Sequence, residues 1–180
     1  DSLLDFDESI PSDAETAAAS KAGIAAFCDL YGPVFLRNAR FATHRPVPDL
    51  GDAATPIHDV YRFYDYWIKF ESWRDFSMVK PEHDVESATC REEKRWMMKE
   101  NERVSKKLKN KEISRITELV MRAMERDPRI IMDKERKIRE KQMLKQQREE
   151  KERMIIQRAQ EEKELKEREE ADRMKMEKEA

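Results

Sequence analysis

The sequence predicts an all-α protein, in which a small helical bundle is followed by a long, free-standing charged helix. Of its 180 residues, 42% are charged and 38% are apolar, against about 25% and 45–50% in an average globular domain. All aromatic residues precede residue 97, and neither Gly nor Pro follows Pro128. A core with turns therefore belongs to the first half of the chain, and uninterrupted helix to the second.

Charge is distributed unevenly and suggests a division into regions. The net charge is −6 over residues 1–60, −2 over 61–90, +5 over 91–126 and +1 over 127–180, so the overall value of −2 conceals a basic segment. We predict three regions: an extended acidic lead-in (1–19), a helical domain (20–127) and a long charged helix (128–180).

Apolar spacing predicts the helices of the bundle. We expect Ser20 to cap a first helix through Tyr31, with Gly32 ending it and Pro33 opening a second helix. Residues 43–57 are rich in proline and predict a loop. Residues 58–76 hold an aromatic stripe, which is more typical of a core than of a ligand site. The predicted core residues of this stripe are Phe63, Trp67, Phe70 and Trp73.

A third helix is predicted from near Glu86, and its later turns carry an apolar face at helical spacing that should pack on the aromatic helix. That face comprises Ile113, Ile116, Val120 and Ala123. Asp127 followed by Pro128 indicates the N-cap and first residue of a new helix.

The last fifty residues show no sustained heptad. The apolar residues considered for a heptad are spaced 7, 6, 11, 10 and 9 apart, namely Ile131, Ile138, Leu144, Ile155, Leu165 and Met174. Opposite charges at i, i+4 instead contribute about 0.2–0.5 kcal/mol each. This pattern predicts a free-standing helix of roughly 70–75 Å. A coiled coil with an unseen partner remains the alternative.

Motifs of catalysis and of metal binding are absent from the sequence. Cys28 and Cys90 stand alone, and His44, His58 and His83 lie in loop-like stretches. No apolar run is long enough for a membrane span. We therefore expect no enzyme activity, cofactor, metal or membrane partner. The start at Asp1, without an apolar leader, suggests a segment of a longer protein.

The basic segment is either a solvated surface or a phosphate-binding face. Arg91, Lys94 and Arg95 share one face at i, i+3 and i+4, and a cationic face without a groove-reading motif favours RNA binding by shape. The predicted RNA-binding residues are Arg91, Lys94, Arg95, Lys99, Arg103, Lys106, Lys107, Lys109, Lys111 and Arg115.

Several ordered blocks resemble the zuotin family, the J-domain subunits of the ribosome-associated complex. They are FYDYWIKFESWRDFS, CREEKRW and SRITELVMRAMERDPRI, with similar upstream blocks FDESIP, YGPVFLRNARF and PVPDLGD. The resemblance covers about residues 1–131, and the charged tail is similar only in composition. No His-Pro-Asp occurs, so the family's J domain is missing and the chain resembles the zuotin homology domain with the start of the middle helix.

The resemblance implies a cytoplasmic, ribosome-bound co-chaperone. The basic helix leaves a nuclear nucleic-acid-binding role open as a further alternative. Its expected partners are large-subunit rRNA and proteins at the tunnel exit, and the small subunit through the long helix. The missing J-domain region would serve 70-kDa heat-shock chaperones, including an atypical partner. The family's R-x-x-K-R block falls on Arg91, Lys94 and Arg95, and the lysine run matches only in character. The alternative function is a structural coiled-coil interaction protein with an incidental basic patch.

Overall fold

The computed structural model describes residues 7–76 and 81–179. Regular structure in these ranges consists of five α-helices, a 3₁₀ turn at Val85–Ser87 and an isolated antiparallel bridge between Ala42 and Ser72. The predicted all-α class is therefore confirmed. Contacts divide the chain into two units, Asp1–Asp133 and Lys134–Ala180, whereas the three regions proposed from sequence stay a prediction.

Helix α1 (Asp13–Ala22) begins earlier than predicted, within the stretch expected to be an extended lead-in. Residues 1–6 of that lead-in lie outside the described residues. Ser12 and Glu15 form a capping box, in which each side chain accepts a hydrogen bond from the other's backbone N–H. Ser20 is consequently not an N-cap. The helix ends at Ala22, and the φ of 119° at its C-cap Gly23 suits glycine.

Helix α2 (Ile24–Ala39) runs through Gly32 and Pro33, where a helix boundary was predicted. Proline removes one backbone hydrogen bond from a helix interior. The helix continues nevertheless because the same apolar stripe is buried on both sides of Pro33. Phe27 and Tyr31 precede the proline and Phe35 follows it, all at most 3% exposed.

Helix α3 (Ile57–Ile68) is shorter than the predicted aromatic helix. After Lys69 the chain turns to pair with residues 41–43, and the backbone N–H of Trp73 donates to the carbonyl of Phe41 (3.0 Å). Helical spacing therefore no longer applies beyond Phe70. Trp73 is 52% exposed, so its predicted place in the core is wrong. Part of the predicted Pro81-containing loop, residues 77–80, lies outside the described residues.

The aromatic core joins α2 to α3. The Phe35 ring lies 4.8 Å from that of Phe63 and 4.9 Å from that of Trp67, and Trp67 stacks on Phe70 at 4.6 Å. Phe63 and Trp67 are each 1% exposed, and Phe70 is half-buried. Burial of each large ring stabilises the fold by roughly 1.5–3 kcal/mol.

Helix α4 (Arg91–Arg126) packs its second half on α1 and α3. Ile116, Val120 and Ala123 are buried as predicted, together with Leu119, whereas Ile113 is 52% exposed. The helix begins at Arg91 rather than near Glu86, because the Cys90 Sγ accepts the N–H of Glu93 and acts as the cap. The Glu93 carboxylate in turn accepts the N–H and the hydroxyl of Thr89.

Asp127 and Pro128 separate α4 from α5 (Pro128–Glu179), as predicted. The buried Asp127 carboxylate accepts the Tyr64 hydroxyl (2.8 Å) and the Arg129 Nη2 (2.7 Å). Arg129 Nη1 also donates to the carbonyls of Leu50 and Asp52. Asp127 thus joins the ends of two helices to α3, and Arg129 joins them to the loop before α3.

The second unit, residues 134–180, consists of α5 residues in its described part, and every side chain described from 134 to 177 is exposed. Ion pairs at i, i+4 recur along it, such as Arg136–Glu140 at 3.0 Å and Lys166–Glu162 at 2.6 Å. The sequence of α5 carries one regularity that the heptad comparison does not capture. Apolar residues recur every eleven positions, at Met143, Met154, Leu165 and Met176.

Substituting Asp127 with Ala should lower the free energy of unfolding by about 3–5 kcal/mol, because Arg129 would remain buried without its carboxylate. Urea denaturation followed by circular dichroism measures the change. The control Asp65→Ala removes an exposed carboxylate on α3 and should shift stability by at most about 0.5 kcal/mol. The double variant Asp127→Ala with Arg129→Leu should lose less unfolding free energy than the two single variants lose together. Strictly additive losses would contradict a buried ion pair.

Candidate nucleic-acid interface

The ten predicted RNA-binding residues all lie on α4, but the helix does not present them equally. At 3.6 residues per turn, positions nine residues apart lie on opposite sides. Lys107 precedes the buried Ile116 by nine residues, and Lys111 precedes the buried Val120 by nine. The packing of the second half of α4 thus turns these lysines toward solvent.

The first turn of α4 carries three exposed bases, Arg91, Lys94 and Arg95. Lys94 Nζ lies 3.3 Å from an exposed Glu86 carboxylate, a surface pair that contributes at most about 1 kcal/mol. The N-terminal end of a helix also carries partial positive charge. An anion approaching this turn therefore meets side-chain cations and the helix dipole, together with the opposing carboxylates of Glu92 and Glu93.

Further along the helix, Lys99, Arg103 and Lys106 are exposed. Arg103 pairs with Glu100 at 2.5 Å and Lys106 with Glu102 at 2.8 Å. The hydrogen bond from Lys106 lowers the pKa of the Glu102 carboxyl. Within the described residues, no carboxylate lies within 4 Å of the cations of five exposed bases. These are Arg91, Arg95, Lys99, Lys107 and Lys111. At 100° per residue they wind around α4, at about 0°, 40°, 80°, 160° and 200°, and we call this winding band the open cation face.

Lys109 and Arg115 point toward the bundle and do not belong to this face. Lys109 Nζ donates to the backbone carbonyls of Ser72 (2.8 Å) and Arg74 (3.1 Å). Arg115 Nη2 donates to the Asn38 side chain (2.8 Å), and burial lowers the pKa of its guanidinium. Both were predicted to bind RNA, and the structure gives them a role in packing.

A buried ion pair holds the residues that accept hydrogen bonds from Lys109 against α4. The Arg74 guanidinium donates to Glu112 of α4 at 2.9 Å, and both side chains are about 5% exposed. Arg74 also lies over the Phe41 ring, 4.7 Å from its centroid. Residues 72–74 are therefore fastened to α4 by one ion pair and by the two hydrogen bonds from Lys109.

Arginines elsewhere in the bundle are paired with the acidic N-terminal segment. Asp7 contacts Arg37 at 2.8 Å, and Asp13 contacts Arg122 at 2.8 Å. Glu8 lies 3.5 Å from Arg74. The acidic segment thus neutralises cations of the bundle that lie away from the open cation face.

The part of the chain that the structure describes holds no group of three or more His, Cys, Asp or Glu arranged to bind a metal. None of its helices is both long enough and apolar enough to cross a membrane.

Residues 26–131 match the family described as "Zuotin-like, zuotin homology domain". The chain belongs to this family. DnaJ homolog subfamily C member 2 of Homo sapiens is 40% identical over 130 residues, which are 72% of this chain and 20% of that protein. Zuotin of Saccharomyces cerevisiae is 37% identical over 110 residues, 61% of this chain and 25% of that protein. Zuotin of Schizosaccharomyces pombe is 36% identical over 124 residues, 68% of this chain and 28% of that protein.

The chain therefore spans between 20% and 28% of the length of these relatives. The matched zuotin homology domain covers all but the first two residues of α2, all of α3 and α4, and the first residues of α5. Both the aromatic core and the open cation face lie inside it.

Two neighbouring lysines of this zuotin homology domain should respond differently to substitution. Lys109→Ala should lower the free energy of unfolding by about 1.5–3 kcal/mol, because two charge-assisted hydrogen bonds are lost, and should leave RNA affinity unchanged in the folded protein. Lys107→Ala should change stability by less than about 0.5 kcal/mol and should weaken RNA binding. Urea denaturation and RNA-binding titrations check both, and the reverse pattern would contradict the orientation of α4.

Proposed function

We propose that this chain is the ribosome-anchoring part of a J-domain co-chaperone, and that it binds ribosomal RNA near the polypeptide exit tunnel. The observation that carries the proposal is the open cation face of α4, which spans about 30 Å from Arg91 to Lys111. Relatives named zuotin and DnaJ homolog support the chaperone part of the proposal. The resemblance noted from the sequence supports the ribosomal part.

The chemistry of the face suits the phosphate backbone better than base edges in a groove. Lysine and arginine dominate phosphate contacts, and such contacts position a protein on nucleic acid without reading its sequence. A-form RNA offers side chains a deep major groove that they cannot read. The proposed ligand is therefore structured RNA, recognised mainly through its charge and shape.

The proposed division of labour leaves no catalytic step to this chain. A J domain elsewhere in the protein would stimulate ATP hydrolysis by a 70-kDa heat-shock chaperone that acts on nascent chains, with an atypical chaperone of that class as a further partner. The zuotin homology domain would hold that machinery at the large subunit, in contact with tunnel-exit proteins. The long helix would reach the small subunit. The proposed location is cytoplasmic and ribosome-bound.

Replacing three bases of the open cation face, Arg95, Lys99 and Lys107, with Ala should weaken ribosome binding and its salt dependence. Each lost phosphate contact should reduce the slope of log affinity against log salt by about one unit, hence by about three in total. Co-sedimentation with ribosomes through a sucrose cushion over a salt series measures both quantities.

A control variant with Lys21, Arg62 and Lys69 replaced by Ala also loses three exposed positive charges, but none from α4. It should pellet with ribosomes nearly as the unmodified chain does. Equal losses of ribosome binding in the two variants would mean that net charge, and not the position of the bases on α4, determines binding. An unchanged salt series for the α4 variant would overturn the proposed RNA contact.

A second candidate function, a coiled-coil interaction protein with an incidental basic patch, draws support from the eleven-residue apolar column of α5. Met143, Met154 and Leu165 are 58%, 49% and 57% exposed. An eleven-residue repeat keeps such residues on one slowly winding line and favours a right-handed supercoil. Apolar side chains aligned in this way could form a seam with another helix.

Sedimentation equilibrium of the whole chain distinguishes the two candidates. The ribosome-anchoring proposal expects a monomer at concentrations up to about 100 µM, since one apolar residue every three turns gives a thin contact. The coiled-coil candidate expects concentration-dependent dimers, which substitution of Met143, Met154 and Leu165 with Gln would abolish.

A further inference from the structure

Trp96 is the aromatic side chain of α4, and it stands among the bases of the proposed interface. It is 55% exposed and is not part of the hydrophobic core. Arg95 is its neighbour in sequence, and Lys99 and Arg103 follow it by three and seven residues, on the same side of the helix. The proposed function, which rests on cations alone, leaves this indole unexplained.

A neighbouring loop holds a second ring against Trp96. The His83 ring lies 4.8 Å from the indole, at an interplanar angle of 48°. Asn101 fixes that loop, because its side chain accepts the backbone N–H of His83 (2.9 Å) and donates to the His83 carbonyl (2.8 Å). Two hydrogen bonds from Asn101 thus hold the His83 backbone where its ring contacts Trp96, and part of the indole stays open to solvent.

Trp96 borders a shallow surface groove of about 410 Å³. The other residues that line it are Lys99, Glu100, Glu102, Arg103 and Lys106. Glu100 and Glu102 repel a phosphate placed directly above them, whereas an uncharged nucleobase avoids most of that penalty. The groove therefore favours a nucleobase against the indole, with the flanking phosphates on the neighbouring lysine and arginine side chains.

We propose that Trp96 is a stacking platform for an unpaired RNA base. The RNA bound by α4 then contains a loop or a bulge, rather than an uninterrupted duplex. This inference rests on the proposed function and narrows its ligand. Bases in a duplex are already stacked on their neighbours, but an unpaired base can leave the strand and lie on an aromatic ring. Such stacking tolerates any base, because every base has a π face.

The test compares two RNAs with the same number of phosphates, a stem-loop with an unpaired loop and a blunt-ended duplex. Anisotropy of labelled RNA gives the dissociation constant of the whole 180-residue chain for each. Trp96→Ala should weaken stem-loop binding roughly five- to 150-fold and duplex binding less than about twofold. Trp96→Phe keeps a ring and should retain most of the stem-loop affinity.

Met98→Ala is the matched control, since Met98 is 56% exposed on the same helix and should affect neither RNA. Thermal melting by circular dichroism checks that each variant folds. Equal losses on both RNAs, or no loss on either, would overturn stacking at Trp96. A loss of ribosome binding without any loss of RNA binding would also overturn it, and would assign the indole to a ribosomal protein.

Failure of the inference and failure of the proposed function give different results. If Trp96→Ala has no effect while the Arg95, Lys99 and Lys107 variant still loses affinity for both RNAs, only the stacking inference fails. If that variant binds ribosomes and both RNAs as the unmodified chain does, the proposed function fails whatever the behaviour of Trp96.

Discussion

Asp127 is a fully buried carboxylate at the junction between α4 and α5, and its hydrogen bonds determine how α4 is held. A buried charge is costly unless it is paired and hydrogen-bonded, and here Tyr64 and Arg129 supply the donors. Burial and the charge of Asp127 raise the pKa of Tyr64 well above its ordinary value, which keeps that hydroxyl a donor. Burial acts to lower the pKa of Arg129, but the hydrogen bonds and charge of Asp127 outweigh it and leave that pKa raised.

This anchoring has consequences for the helix that carries the candidate interface. With one end of α4 fixed against α3, the buried apolar face sets the rotation of the helix about its axis. That rotation directs Lys109 and Arg115 to partners in the bundle and turns Lys107 and Lys111 toward solvent. Residues of one charge in one short segment thereby acquire two roles, and the division depends on packing rather than on residue type.

Sequence patterns predicted features that arise from nearby residues. The aromatic core around Phe63 and Trp67 and the helix break at Asp127 followed by Pro128 were both predicted, since periodicity and capping are local. The α1 capping box was also local, but the acidic composition around Ser12 had suggested extended chain instead. Composition is therefore a weaker indicator than a capping pair.

Two further errors came from contacts between residues distant in sequence. Trp73 leaves the core because its backbone N–H pairs with Phe41, 32 residues earlier. Lys109 faces inward because its hydrogen-bond acceptors lie 37 and 35 residues before it. Neither partner can be recognised from helical spacing, so the sequence located the basic segment but not the subset of its bases that is available to a ligand.

The central claim, that the outer side of α4 contacts the ribosome, is tested most directly by lysine labelling and mass spectrometry with and without ribosomes. Exposed amines react and contacted amines are shielded. Lys99, Lys107 and Lys111 should lose reactivity when ribosomes are added, while Lys21 and Lys69 keep theirs. Lys109 should react slowly in both states. Unchanged reactivity at Lys99, Lys107 and Lys111, with protection elsewhere on the bundle, would contradict the claim.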